Sequence, residues 1–149
     1  MTGFVVTTAS APMSIVYRTD LRLTADQFID ILSRTSLGPR RPLEDRECMQ
    51  AMVTHASLMA TAWDGELLVG VARCVTDFVY ACYLSELAVD EQYQRQGIGK
   101  ELIRATRGRL GPRCRLRLLA APDATDYYSH IGFAHSPRCW ELTPGNELK

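Results

Sequence analysis

The segment from residue 84 to residue 104 constrains the fold more than any other part of this 149-residue chain. Residues 84–89 form an apolar run that is typical of a strand, and the acidic pair Asp90-Glu91 ends it. A polar loop with two glycines follows over residues 94–99 and leads directly into an amphipathic helix. This order leaves unpaired backbone N–H groups at a helix N-terminus, where the helix dipole favours negative charge. The segment therefore predicts a seat for a phosphate or pyrophosphate.

The remaining pattern predicts one mixed α/β domain around a single sheet. The predicted strands cover residues 14–18, 58–63, 67–75, 80–89 and 114–120, followed by two closing strands at 133–134 and 139–142. The predicted helices cover the residues after an N-cap at Thr24 and residues 43–55, 97–110 and 123–130, the last capped by Asp123. Asp64-Gly65 predicts a tight hairpin turn between the second and third strands.

Composition narrows the class of protein. Lys plus Arg and Asp plus Glu number 17 each, and a net charge of zero argues against a nucleic-acid partner. No run approaches the roughly 18 apolar residues of a membrane span, so we expect no membrane partner. Residues 1–13 lack the basic start of a signal peptide and predict a flexible tail, which leaves residues 14–149 as the single domain.

The cysteines and histidines give no metal signal. The five cysteines are scattered and odd in number, which favours reduced thiols in a cytoplasmic protein. None of the three histidines has a ligand partner at useful spacing, so we expect no metal site.

The glycine loop by itself is a weak motif. It differs from the GxxxxGK[ST] phosphate loop and from the GxGxxG dinucleotide loop. Glycine in such a loop lets a ligand oxygen approach the backbone without meeting a Cβ. A binder of nucleotide phosphates remains open at this point.

A second motif sharpens the interpretation. Tyr128 is followed by Gly132-Phe133, which gives the pattern Tyr-x-x-x-Gly-Phe. With this segment and the (Q/R)-x-x-G-x-(G/A) loop, the chain resembles the GNAT acyl-CoA N-acyltransferase superfamily over about residues 14–142. The resemblance implies a mixed central sheet of about six to seven strands flanked by helices, with a splayed central strand pair. It also implies acetyl-CoA as the acyl donor. The pyrophosphate would lie on the loop, at Gln94, Arg95, Gln96, Gly97, Ile98, Gly99 and Lys100, and the pantetheine arm along Leu87, Ala88 and Val89.

The predictions of the catalytic residues rest on different observations. The resemblance implies that Tyr128 is the general acid for the thiolate leaving group. Glu86 is the single carboxylate in the central strand and a candidate base or amine anchor, but strict alternation places it opposite Tyr83 and Ser85, where bases occur in the family. A bulge in the strand would re-aim Glu86, and Ser85 would then hold a water in the same relay. The open alternative is that Glu86 forms an ion pair with an arginine such as Arg115 or Arg117.

These features predict a cytoplasmic acetyl-CoA-dependent N-acetyltransferase that acts on a primary amine of a small molecule or peptide, by direct attack in a ternary complex. The missing base at Tyr83 and Ser85 keeps a second hypothesis open, a non-catalytic acyl-CoA-binding sensor or interaction module. The sequence does not identify the acceptor. An exposed edge strand at residues 139–142 would allow a homodimer.

Overall fold

The computed structural model describes residues 14–149, so the tail predicted for residues 1–13 lies outside the described part. The chain divides into two compact units, the second of which is Ala120–Lys149, and each is described by itself. The single domain expected over residues 14–149 stays a prediction. Within residues 14–149, no helix has the length and apolar character needed to cross a membrane.

The first unit holds a five-stranded sheet in the order of the chain. Its elements are β1 (Ile15–Arg18), α1 (Ala25–Ser33), a 3₁₀ turn (Gly38–Arg40), α2 (Arg46–Thr54), β2 (Leu58–Asp64), β3 (Leu67–Thr76), β4 (Ala81–Val89), a 3₁₀ turn (Glu91–Tyr93), α3 (Ile98–Arg107) and β5 (Arg115–Arg117). Neighbouring strands are antiparallel except β4 and β5, which are parallel. The predicted mixed α/β fold is confirmed.

Three strand predictions are corrected. β5 spans Arg115–Arg117 instead of residues 114–120, and residues 133–134 and 139–142 form no strand in the described chain. A strand is stabilised by burying one face, whereas Trp140 is 93% exposed here. The described sheet therefore has five strands instead of six to seven, and the edge at residues 139–142 that would allow a homodimer is not formed.

Side-chain caps set the helix starts. Thr24 forms the predicted cap of α1 as a capping box with Gln27, with N–H···O distances of 3.1 and 2.9 Å. α2 begins three positions later than residue 43, because Asp45 accepts a hydrogen bond from the Cys48 N–H at 3.0 Å and thereby takes the N-cap position. Gly65, with φ +57°, is the first residue of the hairpin connection between β2 and β3.

Helices cover both faces of the sheet. α1 and α2 pack on one face over a cluster that includes Phe28, Met49 and Val71. On the other face, α3 lies so close to β3 that a Cβ on Gly70 would stand 3.0 Å from Leu102 Cδ1 and 3.3 Å from Ile98 Cγ2. This contact fixes the start of α3 beside the end of β4.

The second unit contains one helix, α4 (Thr125–His130). It does not use the predicted cap at Asp123, because Ala124 holds the N-cap position and no side chain caps it. Tyr128 packs edge-to-face on Phe133 with ring centroids 5.4 Å apart, and the Phe133 N–H donates to the Tyr128 carbonyl at 2.9 Å. Gly132 reverses the chain between them with φ +105°.

Candidate active site

The segment before the glycine loop is fixed to the sheet by buried polar contacts. Asp90, which ends β4, is buried, pairs with the Arg34 guanidinium and accepts the Gln92 N–H at 2.8 Å. Arg34 also donates to the Leu68 carbonyl at 2.7 Å. The Tyr93 hydroxyl donates to Asp64 at 2.6 Å. These contacts hold the loop entrance to α1, β2 and β3.

The loop backbone has the shape of an anion seat. Arg95 and Gly97 take positive φ values of 63° and 80°. Successive backbone N–H groups in turns of this kind make concavities that bind anions. Within residues 14–149, the N–H groups of residues 97–100 have no protein acceptor, and the first bond of the helix runs from the Glu101 N–H to the Gly97 carbonyl at 3.1 Å. Gly97 is the N-cap of α3.

Most of the loop residues that are predicted to bind the cofactor are exposed, and Ile98 is buried. Gln94, Arg95, Gln96, Gly97 and Lys100 are exposed, whereas Ile98, the first residue of α3, is buried against Gly70 of β3. In the described chain, neither Arg95 nor Lys100 is part of a salt bridge. Their charges are therefore available to a phosphate beside the concavity. The residues present fit a pyrophosphate.

An open strand edge adjoins this seat. The parallel pairing of β4 with β5 ends at Tyr83 and Arg117, although β4 continues to Val89. Over residues 84–89, β4 has no sheet partner on that side within the described chain. The backbone that carries Leu87, Ala88 and Val89 can therefore accept a further extended group as a strand does.

A bulge changes the face that Glu86 occupies. Arg73 of β3 is opposite Glu86, and Cys74 is opposite Leu84, so Ser85 is the extra residue of the bulge. Residues directly opposite each other share a face, and Glu86 therefore lies on the face of Arg73, which is also the face of Tyr83. The sequence left open whether a bulge re-aims Glu86, and the structure contains this bulge.

Glu86 lies in a buried ion cluster. Its carboxylate accepts from Arg73 Nε at 2.5 Å, from Arg41 Nε at 2.9 Å and from Ser85 Oγ at 3.0 Å. The Glu86 side chain is 1% exposed and that of Arg73 is 9% exposed, so water screens the pair weakly. Glu86 forms ion pairs with arginines, as the alternative hypothesis predicted. The partners are Arg41 and Arg73, however, and not the expected Arg115 and Arg117.

Sequence reasoning missed Arg41 and Arg73. Arg73 stands as the single charged residue in the apolar run of residues 67–75, which was a signal that it has a buried partner. Arg41 comes from the loop before α2 and also donates to the Ser85 carbonyl at 3.0 Å. No local pattern connects that loop with β4.

Tyr128 lies in the second unit and is half-buried. Burial raises the pKa of its phenol above the usual 10.0, and the neighbouring Tyr127 adds to the shift. The hydroxyl therefore keeps its proton at neutral pH, as a proton donor must.

The helix N-terminus suits a pyrophosphate and the open strand edge suits an extended arm, the two parts of an acyl-CoA thioester, so the fold and this candidate site indicate an acyltransferase. The family model described as "Acetyltransferase (GNAT) domain" matches residues 40–139. The chain belongs to the GNAT acetyltransferase family.

Known proteins agree with this assignment. A chloroplastic GCN5-related N-acetyltransferase of Arabidopsis thaliana is 32% identical over 72 residues, which are 47% of this chain and 28% of that protein. The match thus spans less than a third of the curated relative's length. A GNAT-family acetyltransferase from Streptococcus pneumoniae has the same fold, with a TM-score of 0.71, 21% identity and coverage of 91% of this chain and 100% of that one. An aminoglycoside N-acetyltransferase in complex with CoA has a TM-score of 0.68 and 14% identity, over 93% of this chain and 99% of that one.

Proposed function

We propose that this acetyltransferase transfers the acetyl group of acetyl-CoA to a primary amine of a small molecule, by direct attack in a ternary complex. Acetyl-CoA supplies the activated acetyl group. The single observation that carries the proposal is the glycine loop at residues 94–99, with its free N–H groups beside the open edge of β4.

The loop and the strand edge set the position of the reacting end. A strand rises about 3.3 Å per residue, so the edge from Val89 back to Leu84 is roughly 17 Å long. An extended arm held by its pyrophosphate at the loop follows this edge and ends at the Ser85 bulge. The bulge is therefore the proposed place of acetyl transfer.

Ser85 and Glu86 act on the acceptor amine in this proposal. The Ser85 hydroxyl donates to Glu86 and accepts from Arg73 Nη2 at 3.1 Å, which leaves one lone pair of its oxygen for a further bond. That lone pair accepts a hydrogen bond from the amine or from a water. Both carboxylate oxygens of Glu86 are occupied by guanidinium donors, so Glu86 orients Ser85 and acts as a positioning residue.

Tyr128 is the proposed general acid that protonates the departing thiolate as the C–S bond breaks. The proton that the amine nitrogen releases when the C–N bond forms passes to solvent water, and solvent reprotonates the phenol. The proposal is supported by the match of Tyr128, Gly132 and Phe133 to the family segment and by the protonated phenol.

The test is free CoA release with an amine panel, together with acetyl-CoA affinity measured by calorimetry. We expect Tyr128→Phe to lower kcat by about 100-fold, since general acid catalysis contributes that order, with the Kd for acetyl-CoA nearly unchanged. The neighbour Tyr127 provides the matched control, because it is a more exposed phenol on the same helix. Tyr127→Phe should keep near wild-type turnover.

The outcome also separates the enzyme from a sensor. Tight acetyl-CoA binding without CoA release for any amine would favour a non-catalytic binding module. Equal turnover of Tyr128→Phe and wild type would show that another group is the acid.

A further inference from the structure

Resting on the proposed function, we infer that the acceptor is a small amine that also carries an anionic group, a carboxylate or a phosphate, and that a basic face of the sheet binds this anion. The face extends from the Ser85 bulge toward the start of β4. It is defined by Val75, Tyr83, Arg115 and Arg117, next to the cluster of Arg41, Arg73 and Glu86.

Strand register places these residues on one surface. Tyr83 is opposite Val75 of β3 and opposite Arg117 of β5, and Arg115 is two positions before Arg117. Opposite residues share a face, and so do residues two apart. Arg115 and Arg117 therefore lie on the face that Glu86 and Arg73 occupy.

This surface is open. Val75 is 49% exposed and Tyr83 is 41% exposed, and both arginines of β5 are exposed as well. Within residues 14–149, neither Arg115 nor Arg117 forms a salt bridge. Val75 and Tyr83 give an apolar and aromatic surface, and the unpaired guanidinium groups of Arg115 and Arg117 lie beside it. Such a surface suits a small organic anion.

The face carries more positive than negative charge. The charged residues of β3, β4 and β5 are Arg73, Arg115, Arg117 and Glu86, and Arg41 joins them from the loop. Four guanidinium groups thus stand against one carboxylate. Two acidic residues near Arg41 and β4 in sequence are engaged elsewhere, because Asp45 caps α2 and Asp77 accepts three N–H groups before β4.

The pyrophosphate seat does not account for these arginines. Arg117 pairs with Tyr83, and Tyr83 lies roughly 20 Å along β4 from Val89 at a rise of about 3.3 Å per residue. That distance exceeds the Debye length of about 8 Å at physiological salt. The basic face instead adjoins the proposed place of transfer.

A positive field also fits the chemistry of the attacking amine. Nearby positive charge disfavours an ammonium ion and so lowers the pKa of a bound amine. The amine then reaches its neutral, nucleophilic form without a free carboxylate base. A polycation would be repelled by the same field, whereas an anionic group on the acceptor offsets the repulsion.

The test compares β-alanine, aminopropanol and diaminopropane, which share a carbon chain and differ in the terminal group. We expect kcat/KM to be about tenfold higher for β-alanine than for aminopropanol, since a charge-assisted contact is worth about that factor, and lowest for diaminopropane. Aminoethyl phosphate against ethanolamine decides between phosphate and carboxylate as the preferred anion.

Variants connect the preference to the face. Arg117→Gln should remove most of the preference for β-alanine and leave the KM for acetyl-CoA unchanged. The control is Arg107→Gln, which removes an exposed charge at the end of α3 and should keep the preference. An unchanged substrate ratio in Arg117→Gln, or a preference for diaminopropane, would overturn the inference while CoA release still supported the proposed function.

A binding measurement keeps the two proposals separate. Thermal shifts of the CoA-saturated protein are recorded with glutarate and with diaminopentane. Stabilisation by glutarate that Arg117→Gln abolishes supports the basic face even if no amine in the panel releases CoA, in which case the proposed function fails. If neither compound binds, or both bind equally, the inference is wrong.

Discussion

One extra residue in β4 determines which polar groups meet at the candidate site. Ser85 has no partner across β3, so the alternation that places Leu84 on the α3 face does not extend to Glu86. Glu86 therefore meets Arg73 and Arg41 below α2. Without the bulge, the carboxylate would point to the opposite face and both guanidinium groups would lose their countercharge.

At this scale, we predict that Glu86→Gln lowers the free energy of unfolding by about 3 kcal/mol, because it leaves two largely buried guanidinium groups without a carboxylate. Urea denaturation measures the change. The isosteric control is Glu101→Gln, whose partner Arg104 is exposed, and it should stay close to wild type. Equal effects of the two variants would contradict the buried-cluster interpretation.

At the scale of elements, the site is the junction of β4, its glycine loop and α3. β4 presents an unpaired edge, and α3 presents its N-terminus, since close packing at Gly70 fixes the helix on β3. The loop between them is anchored through Asp90 and Tyr93 and exposed only at its turn. The elements thus fix the loop that is the candidate anion seat.

We predict that Gly97→Ala weakens acetyl-CoA binding about tenfold, since a methyl group enters the concavity and the positive φ adds strain. Isothermal calorimetry gives the Kd. Gly65→Ala is the matched control, because Gly65 also has positive φ and, as at Gly97, nothing lies within 4 Å of an added Cβ. Both variants carry about 1 kcal/mol of backbone strain, so a Kd effect shared by both would refute a local role of the loop.

At the scale of the molecule, helices on both faces bury the centre of the sheet in the first unit. Cys74 and Cys82 lie buried there on neighbouring strands, whereas Cys139 is exposed. Burial, and then the adjacent Cys82 thiol, raise the pKa of Cys74 far above its usual 9.0, and burial also raises that of Cys82.

This shift predicts a loss of stability in alkali. Below pH 9 the Cys74 thiol is protonated in both states, but above it the unfolded thiol ionises while the folded one keeps its proton. The free energy of unfolding should then fall by about 1.4 kcal/mol per pH unit from this group. Denaturation at pH 8 and pH 10 should show a smaller loss in Cys74→Ala than in Cys139→Ala, and equal losses would contradict the prediction.

Local patterns predicted most elements of the first unit because each depends on neighbours in sequence. The Thr24 cap, the hairpin at Gly65 and the helix after Gly97 depend on side chains or φ values within a few residues. The prediction of closing strands at residues 133–134 and 139–142 was wrong, since a strand also needs a partner and a buried face.

The sequence alone determined the class of fold and the GNAT membership, because the glycine loop and the Tyr128 segment are contiguous motifs whose geometry is local. Tertiary structure decided the partners of Glu86 and the charge of the sheet face beside it. Arg41, Arg73 and Arg117 are distant along the chain and meet Glu86 or its face through strand register and one bulge. Electrostatics depends on distance in space, and only the folded sheet sets those distances.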